Sequence, residues 1–367
     1  PPWEMVLEKR ADPDIPAVGS ERVMKFVMGP AKMTWHARHT IYDPPHSFGE
    51  TMLKGPFWKW DHEHIFEEKD GITTVIDQID YKVPFGFLGE IVDKVLGGRL
   101  VKQRIDRMFK AREIRLQRDL QAHGKYRSMP RKKILIAGSS GLIGTQLVAF
   151  LDTGGHDVYR LVRRKVENDF EIEWDPDNGV INAKEIEGFD AVIHLGGEGI
   201  GDKRWSKKRK EKILTSRTGS TALLAKTLSQ IDDPPEVFMV ASAVGYYGHS
   251  QEENLTEESE LGSGYLSDVC SAWEKSAQPA VDAGIRTIWL RTGIVLSGIG
   301  GALGKMLLPF KMNAGGPVAS GKQWMPLISR DDQIYSMHEL LMNDSASGPY
   351  NLTAPNPASQ KEFAKTL

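Results

Sequence analysis

Ile134-Leu135-Ile136-Ala137-Gly138-Ser139-Ser140-Gly141-Leu142-Ile143-Gly144 is the stretch on which the fold turns. The apolar run over 133–137 predicts a strand and residues 142–151 predict a helix, with glycines at the turn between them. In the spacing Gly-x-x-Gly-x-x-Gly the first glycine permits a tight turn. The second lets backbone N–H groups approach a pyrophosphate, and the third lets the helix lie against its strand. Gly138, Ser139, Ser140, Gly141, Leu142, Ile143 and Gly144 therefore form the expected dinucleotide-binding loop.

The following strand, 157–162, ends in Arg163-Arg164. An NAD site normally places Asp or Glu there, to hold the ribose hydroxyls. Two guanidinium groups and no carboxylate suit a 2′-phosphate instead, so NADP(H) is expected in preference to NAD(H). Strands at 170–174, 191–195, 237–241 and 287–290 alternate with helices at 207–228 and 266–283. Such alternation means parallel strands with crossover helices, an α/β doubly wound Rossmann sheet.

Upstream the texture changes. In Trp58-Lys59-Trp60-Asp61-His62-Glu63-His64-Ile65-Phe66-Glu67 the even positions share one face and charged residues hold the other, which is a half-wet antiparallel strand. A partner strand at 73–83 follows the turn Lys69-Asp70-Gly71, and earlier strands are expected at 23–28, 34–42 and 47–53. A long helix over 87–123, interrupted at Gly97-Gly98, follows. Gly124-Lys125-Tyr126-Arg127-Ser128-Met129-Pro130 reads as a linker. The expected division is an α+β antiparallel-sheet domain at 1–128 and a Rossmann domain at 131–367.

Composition bounds the rest. The 367 residues carry 47 basic and 49 acidic side chains, for a net charge of −2, which offers no global attraction to nucleic acid or anionic membrane. One cysteine, Cys270, excludes an intramolecular disulfide and a cysteine-built metal cluster. No apolar run approaches the roughly 18 residues of a spanning helix, so no transmembrane segment is expected and a cytoplasmic location is. The chain opens at Pro1-Pro2-Trp3 without Met, which suggests a fragment.

With the glycine loop, Ala191-Val192-Ile193-His194-Leu195-Gly196-Gly197-Glu198 and Ser242-Ala243-Val244-Gly245-Tyr246-Tyr247-Gly248, the chain resembles the extended short-chain dehydrogenase/reductases. It most resembles their atypical epimerase family branch (NAD-dependent epimerase/dehydratase, nucleoside-diphosphate-sugar epimerase). Further matches are Trp174-Asp175-Pro176, Lys203-Arg204-Trp205, Trp273-Glu274, Leu290-Arg291-Thr292-Gly293 and the run from Asn351 to Pro357. The resemblance covers nearly all of 132–367 and implies a C-terminal substrate lobe that continues further. Gly55-Pro56-Phe57-Trp58-Lys59-Trp60-Asp61-His62 and the closing helix resemble the START-like helix-grip superfamily, which includes polyketide cyclases. That likeness implies an apolar cavity for a hydrophobic ligand and a first strand and helices lying before residue 1. Beyond the loop, cofactor contacts are expected at Arg163, Arg164, Leu195, Gly196, Gly197, Glu198, Arg217, Ala241, Ser242 and Arg291.

The proton-transfer signature departs from the pattern. Typical members use Tyr-x-x-x-Lys, in which the lysine lowers the phenol pKa. Here Tyr265 is followed four residues on by Val269. Ser242, Tyr246 or its neighbour Tyr247, and Tyr265 are the remaining candidates for catalysis. Two readings stay open: an NADP(H)-dependent oxidoreductase or epimerase-like enzyme acting on a small carbonyl, alcohol or nucleotide-sugar-like substrate, or a non-catalytic NADPH sensor.

His62 and His64 share a strand face while His36 and His39 fall on opposite faces, so no metal site is expected. Those groups either line a cavity beside Trp58 and Trp60 or fill a core. The basic run from Arg99 to Arg127 reads as a solvated face or a surface docked on a neighbouring domain, and Lys203 to Lys210 sits where the family has a matching helix start, so no nucleic-acid partner is expected. Substrate identity, reaction direction and oligomeric state are not encoded in any motif.

Overall fold

The structure is a computed structural model that describes residues 5–10, 17–28, 31–83, 99–249, 254–298 and 300–367. The chain divides into two compact units, Pro1–Gln117 and Arg118–Leu367.

In the first unit, six strands form one antiparallel sheet in sequential order: β1 (Met5–Arg10), β2 (Glu21–Met28), β3 (Ala31–Asp43), β4 (Ser47–Lys54), β5 (Lys59–Lys69) and β6 (Ile72–Lys82). The β5–β6 hairpin turns at Asp70 (φ 55°) and Gly71 (φ 75°), the paired left-handed geometry that suits the right-handed twist of its strands. Alternation along β5 buries Trp60, His62 and His64. Trp35, Ala37 and Trp60 form the core, against which Ile105, Met108 and Phe109 of the helix Arg99–Lys125 pack. The expected helical residues 87–98 lie outside the described residues.

Trp58 corrects the alternation argument. It is 69% exposed where Trp60 is 3% exposed, because β5 begins only at Lys59 and the pleat does not reach back to it. Phe57 takes the inner position instead, 4.9 Å from the Trp60 ring. His39 is buried and His36 bonds Glu21 on the other side of the strand, as a two-residue period requires for positions three apart.

The second unit is built on an eight-stranded sheet. Its strands are β7 (Lys133–Ala137), β8 (Asp157–Val162), β9 (Glu171–Asp175), β10 (Val180–Ile181), β11 (Ala191–His194), β12 (Val237–Ala243), β13 (Arg286–Thr292) and, after the three short strands β14 (Ile294–Leu296), β15 (Trp324–Met325) and β16 (Leu327–Ser329), β17 (Gly348–Leu352). Their order is β10-β9-β8-β7-β11-β12-β13-β17, parallel throughout except for the β9–β10 pair. The pair β14–β16 and the pair formed by β15 with β18 (Ala358–Ser359) stand apart as small two-stranded sheets.

Strand β7 is apolar on both faces because both are covered. Ile134 and Ile136 join Leu147, Phe150 and Leu151 of the helix Gly144–Thr153 and Met337 and Leu341 of the helix Arg330–Met342. Leu135 and Ala137 join Leu224 and Leu228 of the helix Lys207–Leu228, with Trp273, on the other side. Pro279 divides the expected helix over 266–283 into Tyr265–Lys275 and Gln278–Asp282, since proline is tolerated only in a first turn. Tyr126 and Met129, inside the expected linker, pack against the first of these cores. Among the described residues no helix is long and apolar enough to cross a membrane.

Leu135 is fully buried between sheet and helices. Leu135→Ala should therefore lower unfolding stability by about 2–5 kcal/mol, read as a lower urea midpoint at unchanged slope. An unchanged midpoint would contradict the packing described.

Candidate functional site

The chain runs from β7 to β8 and β9 on one side, then returns to β11 on the other. Strand order reverses between β7 and β11, and ligands in doubly wound sheets bind outside the strand ends at that reversal. The glycine elbow sits there. Gly138 has φ of 84°, and a Cβ on it would meet Gly196 N and Leu195 C at 2.8 Å. A Cβ on Gly144 would stand 2.2 Å from Gly138 O, and one on Gly141 would stand 3.3 Å from the same oxygen. Side chains are thus excluded from the inner wall of the turn. Gly141 N donates to Gly138 O and Thr145 N to Gly141 O, which fixes the loop. The helix that starts at Gly144 has no side-chain cap, so apart from Thr145 N, which is committed to Gly141 O, its first-turn N–H groups are left for an anion.

Beyond β11, Leu195 and Gly196 lie against Gly138 of this elbow. His194 is fully buried and accepts a hydrogen bond from Gly196 N at Nδ1 (3.4 Å). Its Nε2 lies 2.9 Å from Ser220 Oγ, which itself donates to Ser216 O, so the hydrogen resides on Nε2. Burial pushes the His194 imidazole down to about 4, leaving it neutral. Arg217 donates to Glu198 O and to Ile213 O, and its guanidinium lies against Gly197 and over the Trp273 ring. Glu198 is held by Arg209 and Lys212, which keep its carboxyl below the ordinary carboxylate range. Arg217 and Glu198 thus brace the loop around Gly197.

The two arginines after β8 part company. Arg164 makes a paired bond to Glu171, with both N···O distances 2.8 Å, and the Glu171 side chain is only 2% exposed. Arg163 is exposed and has no bonded partner among the described residues. One guanidinium is committed to the fold and the other stands at the strand end.

At the far strands, register places Ser242 beside Arg291 and Arg291 beside Asn351. Ser242 donates to Glu274 Oε1 at 2.6 Å. Arg291 grips both oxygens of Glu274 at 2.9 Å and donates to Tyr247 Oη at 2.9 Å and Glu257 O at 3.1 Å. Tyr247 passes its own hydrogen to Asn351 Oδ1 (2.7 Å), and burial pushes its phenol up. Tyr246 lies over the Arg291 guanidinium, 3.6 Å from ring centroid to carbon, with no bonded partner for its hydroxyl among the described residues. Ala241, one residue before Ser242, is half-buried.

Tyr265 opens its helix but donates its hydroxyl to Lys210 O at 2.7 Å. Burial pushes that phenol up, and Val269, where the lysine of the usual pair would stand, is buried. Cys270 is buried as well, its thiol pushed up to about 11. Of the sequence-derived groups, the structure brings the elbow, Leu195 to Gly197 and Arg217 together, and gathers Ser242, Tyr246 and Arg291 at another strand end. The organising parts that pattern reading did not single out are His194, Glu274 and Asn351. Their only signal was residence in recognisable runs, since what they do depends on strands far apart in sequence.

The sequence pattern of the NAD dependent epimerase/dehydratase family matches residues 134–352. An epimerase family protein of Mycobacterium bovis is 37% identical over 235 residues, spanning 64% of this chain and 77% of that protein. The crystal structure of a nucleoside-diphosphate sugar epimerase from Corynebacterium glutamicum aligns over 99% of this chain and 74% of its own, with a TM-score of 0.80 and 31% identity. The human epimerase family protein SDR39U1, solved with NADPH, aligns over 64% of this chain and 78% of its own, with a TM-score of 0.57 and 33% identity. A match that covers the elbow and every parallel strand end around it, over more than half of the residues, means that the chain belongs to the NAD dependent epimerase/dehydratase family.

Proposed function

We propose that the second unit is a cytoplasmic NADP(H)-dependent oxidoreductase or epimerase-like enzyme acting on a small carbonyl, alcohol or nucleotide-sugar-like substrate. The observation that carries this reading is the glycine elbow at the strand-order reversal, where Gly144 meets Gly138 O at a distance no side chain tolerates. The cradle suits a diphosphate, which backbone N–H groups and the helix start would hold. A nicotinamide dinucleotide bound there supplies or accepts a hydride. The human relative solved with NADPH supports the same cofactor class. Arg163 is the group suited to a 2′-phosphate, because Arg164 is already spent on Glu171.

For proton transfer, Tyr246 is the candidate this chain leaves available. Ser242 and Tyr265 have donated their hydroxyl hydrogens to Glu274 and to Lys210 O, so they position rather than react. A phenol at the end of β12 would give a proton to a carbonyl oxygen as hydride reaches its carbon, and take one in the reverse direction. One observation favours the second reading, an NADPH sensor without turnover: no lysine accompanies Tyr265, and Val269 occupies that place in a buried setting. For the first unit, we propose a START-like helix-grip domain that holds a hydrophobic ligand. Its support is a sequential antiparallel sheet with a long helix laid on its aromatic face, and a buried Trp60 Nε1 without a partner.

Arg163→Ala should weaken NADPH binding by about 10–100-fold and leave NADH binding within about twofold, measured by fluorescence titration. Equal weakening of both would remove the 2′-phosphate role. Tyr246→Phe should lower turnover across a carbonyl panel by about 10²–10⁴-fold with NADPH affinity intact. If the wild-type chain binds NADPH tightly yet oxidises none of it across the panel, the sensor reading replaces the enzymatic one. Glu274→Ala should destabilise the fold by about 3–5 kcal/mol, because it strands Arg291 in a buried place. Mass spectrometry of the purified chain under native conditions should reveal a lipid or aromatic ligand that is lost in Trp60→Ala; a chain that carries none and is not stabilised by such ligands argues against a ligand-holding first unit.

A further inference from the structure

Strand pairing brings a third ligand to two histidines that the sequence places on one face. His62 and His64 alternate along β5, and the register sets Asp77 of β6 directly opposite His64. Asp77 Oδ1 lies 3.1 Å from His62 Nε2 and 2.6 Å from His64 Nδ1, and the two imidazole rings are 4.0 Å apart. Both histidines are buried, and a neutral imidazole offers one lone pair. In a first-row metal site, bonds of about 2.0–2.2 Å put neighbouring ligand atoms roughly 3 Å apart. The His62–Asp77 separation lies near that spacing, and the shorter His64–Asp77 one would lengthen as a metal took the place of the hydrogen between them.

The remaining neighbour is a cation. Arg112, from the helix Arg99–Lys125, donates to the same Asp77 Oδ1 at 3.0 Å, and its second terminal nitrogen lies 3.3 Å from His64 Nδ1. One imidazole nitrogen either carries a hydrogen or offers a lone pair. His64 Nδ1 therefore cannot both donate to Asp77 and accept from Arg112, and one of those close approaches is unsatisfied in either tautomer. A cation accepting the lone pairs of both nitrogens and of the carboxylate removes that conflict. Arg112 is partly exposed on a flexible stem, so it has room to withdraw.

We propose that His62, His64 and Asp77 form a site for a first-row divalent transition metal, closed by the Arg112 guanidinium when no metal is bound. Two imidazoles and one carboxylate are the ligand set of borderline cations such as zinc, cobalt or iron(II), rather than of calcium or magnesium. Three protein ligands leave coordination positions open to water or to an oxygen-bearing ligand. Phe48, 4.2 Å from the His64 ring, and Phe109, 5.5 Å from that of His62, wall the site with aromatic surface.

A second histidine group, His123, His156 and His338, gathers its ring nitrogens within 4.8 Å of one another in the other unit. It lacks a carboxylate. Lys132 N donates to His156 Nδ1 at 3.1 Å, which fixes the hydrogen on Nε2 and takes the lone pair a metal there would need. That group serves as the control.

The test uses the full chain stripped with a chelator and titrated with Co²⁺, followed by its visible absorption, with circular dichroism confirming that each variant is folded. One equivalent should bind, and His64→Ala and Asp77→Asn should each weaken binding by about 100-fold. Arg112→Gln should bind about tenfold more tightly, since a competing positive charge is gone, and His156→Asn should bind as the wild type does. Failure of both the wild-type chain and Arg112→Gln to bind Co²⁺ overturns the proposal. So does loss of binding in His156→Asn with retention in Asp77→Asn.

Discussion

The approach of Gly144 to the Gly138 carbonyl, closer than any Cβ permits, is the constraint around which the second unit is arranged. It lets the helix Gly144–Thr153 begin at the strand end instead of several ångströms away, so Leu147, Phe150 and Leu151 reach Ile134 and Ile136. Gly138, in turn, stands against Leu195 and Gly196 at the end of β11. One steric fact thereby joins packing and binding. His194 extends the arrangement downward: fully buried and neutral, it anchors Gly196 N and ties β11 to the helix Lys207–Leu228 through Ser220.

The far strand ends are organised by charge instead. Glu274 and Arg291 are both largely withdrawn from solvent, and every hydrogen of that guanidinium named above finds an acceptor. A buried pair of this kind tolerates little distortion, because moving either partner exposes an uncompensated charge to a poor solvent. Ser242, Tyr247 and Asn351 are drawn into its hydrogen bonds. The cost to chemistry is that hydroxyls which look available in sequence are already committed, and the adjacent Tyr246 is set apart by having only its ring engaged.

The first unit shows how a period-two pattern can carry two meanings. Its inner face holds aromatic residues at Trp35, Trp60 and Phe57, and titratable ones at His39, His62 and His64. Hydrophobic burial by Ile105, Met108 and Phe109 stabilises one part of that face. Asp77 and Arg112 compensate His62 and His64, whose imidazoles desolvation would otherwise leave without partners.

Local patterns were enough to read the strand–turn–helix elbow, the parallel sheet and the antiparallel meander, because glycine spacing and periods of two and 3.6 are set by backbone geometry within a few residues. They placed β5 and β6 but not their ends, and put Trp58 on the inner face, since alternation does not say where pleating starts. Strand β1 and the elements from β14 onward carried too short or too mixed a pattern to stand out. Which arginine after β8 is spoken for was decided by Glu171 on the next strand. Which hydroxyls are free was decided by Glu274 and by Lys210 O, and which carboxylate joins His62 and His64 by the register of β6. The sequence by itself determined the kinds of element and the groups able to act. Only the tertiary structure decided which of those groups remain uncommitted, because hydrogen bonds and ion pairs are made between neighbours in space, and those neighbours come from distant parts of the chain.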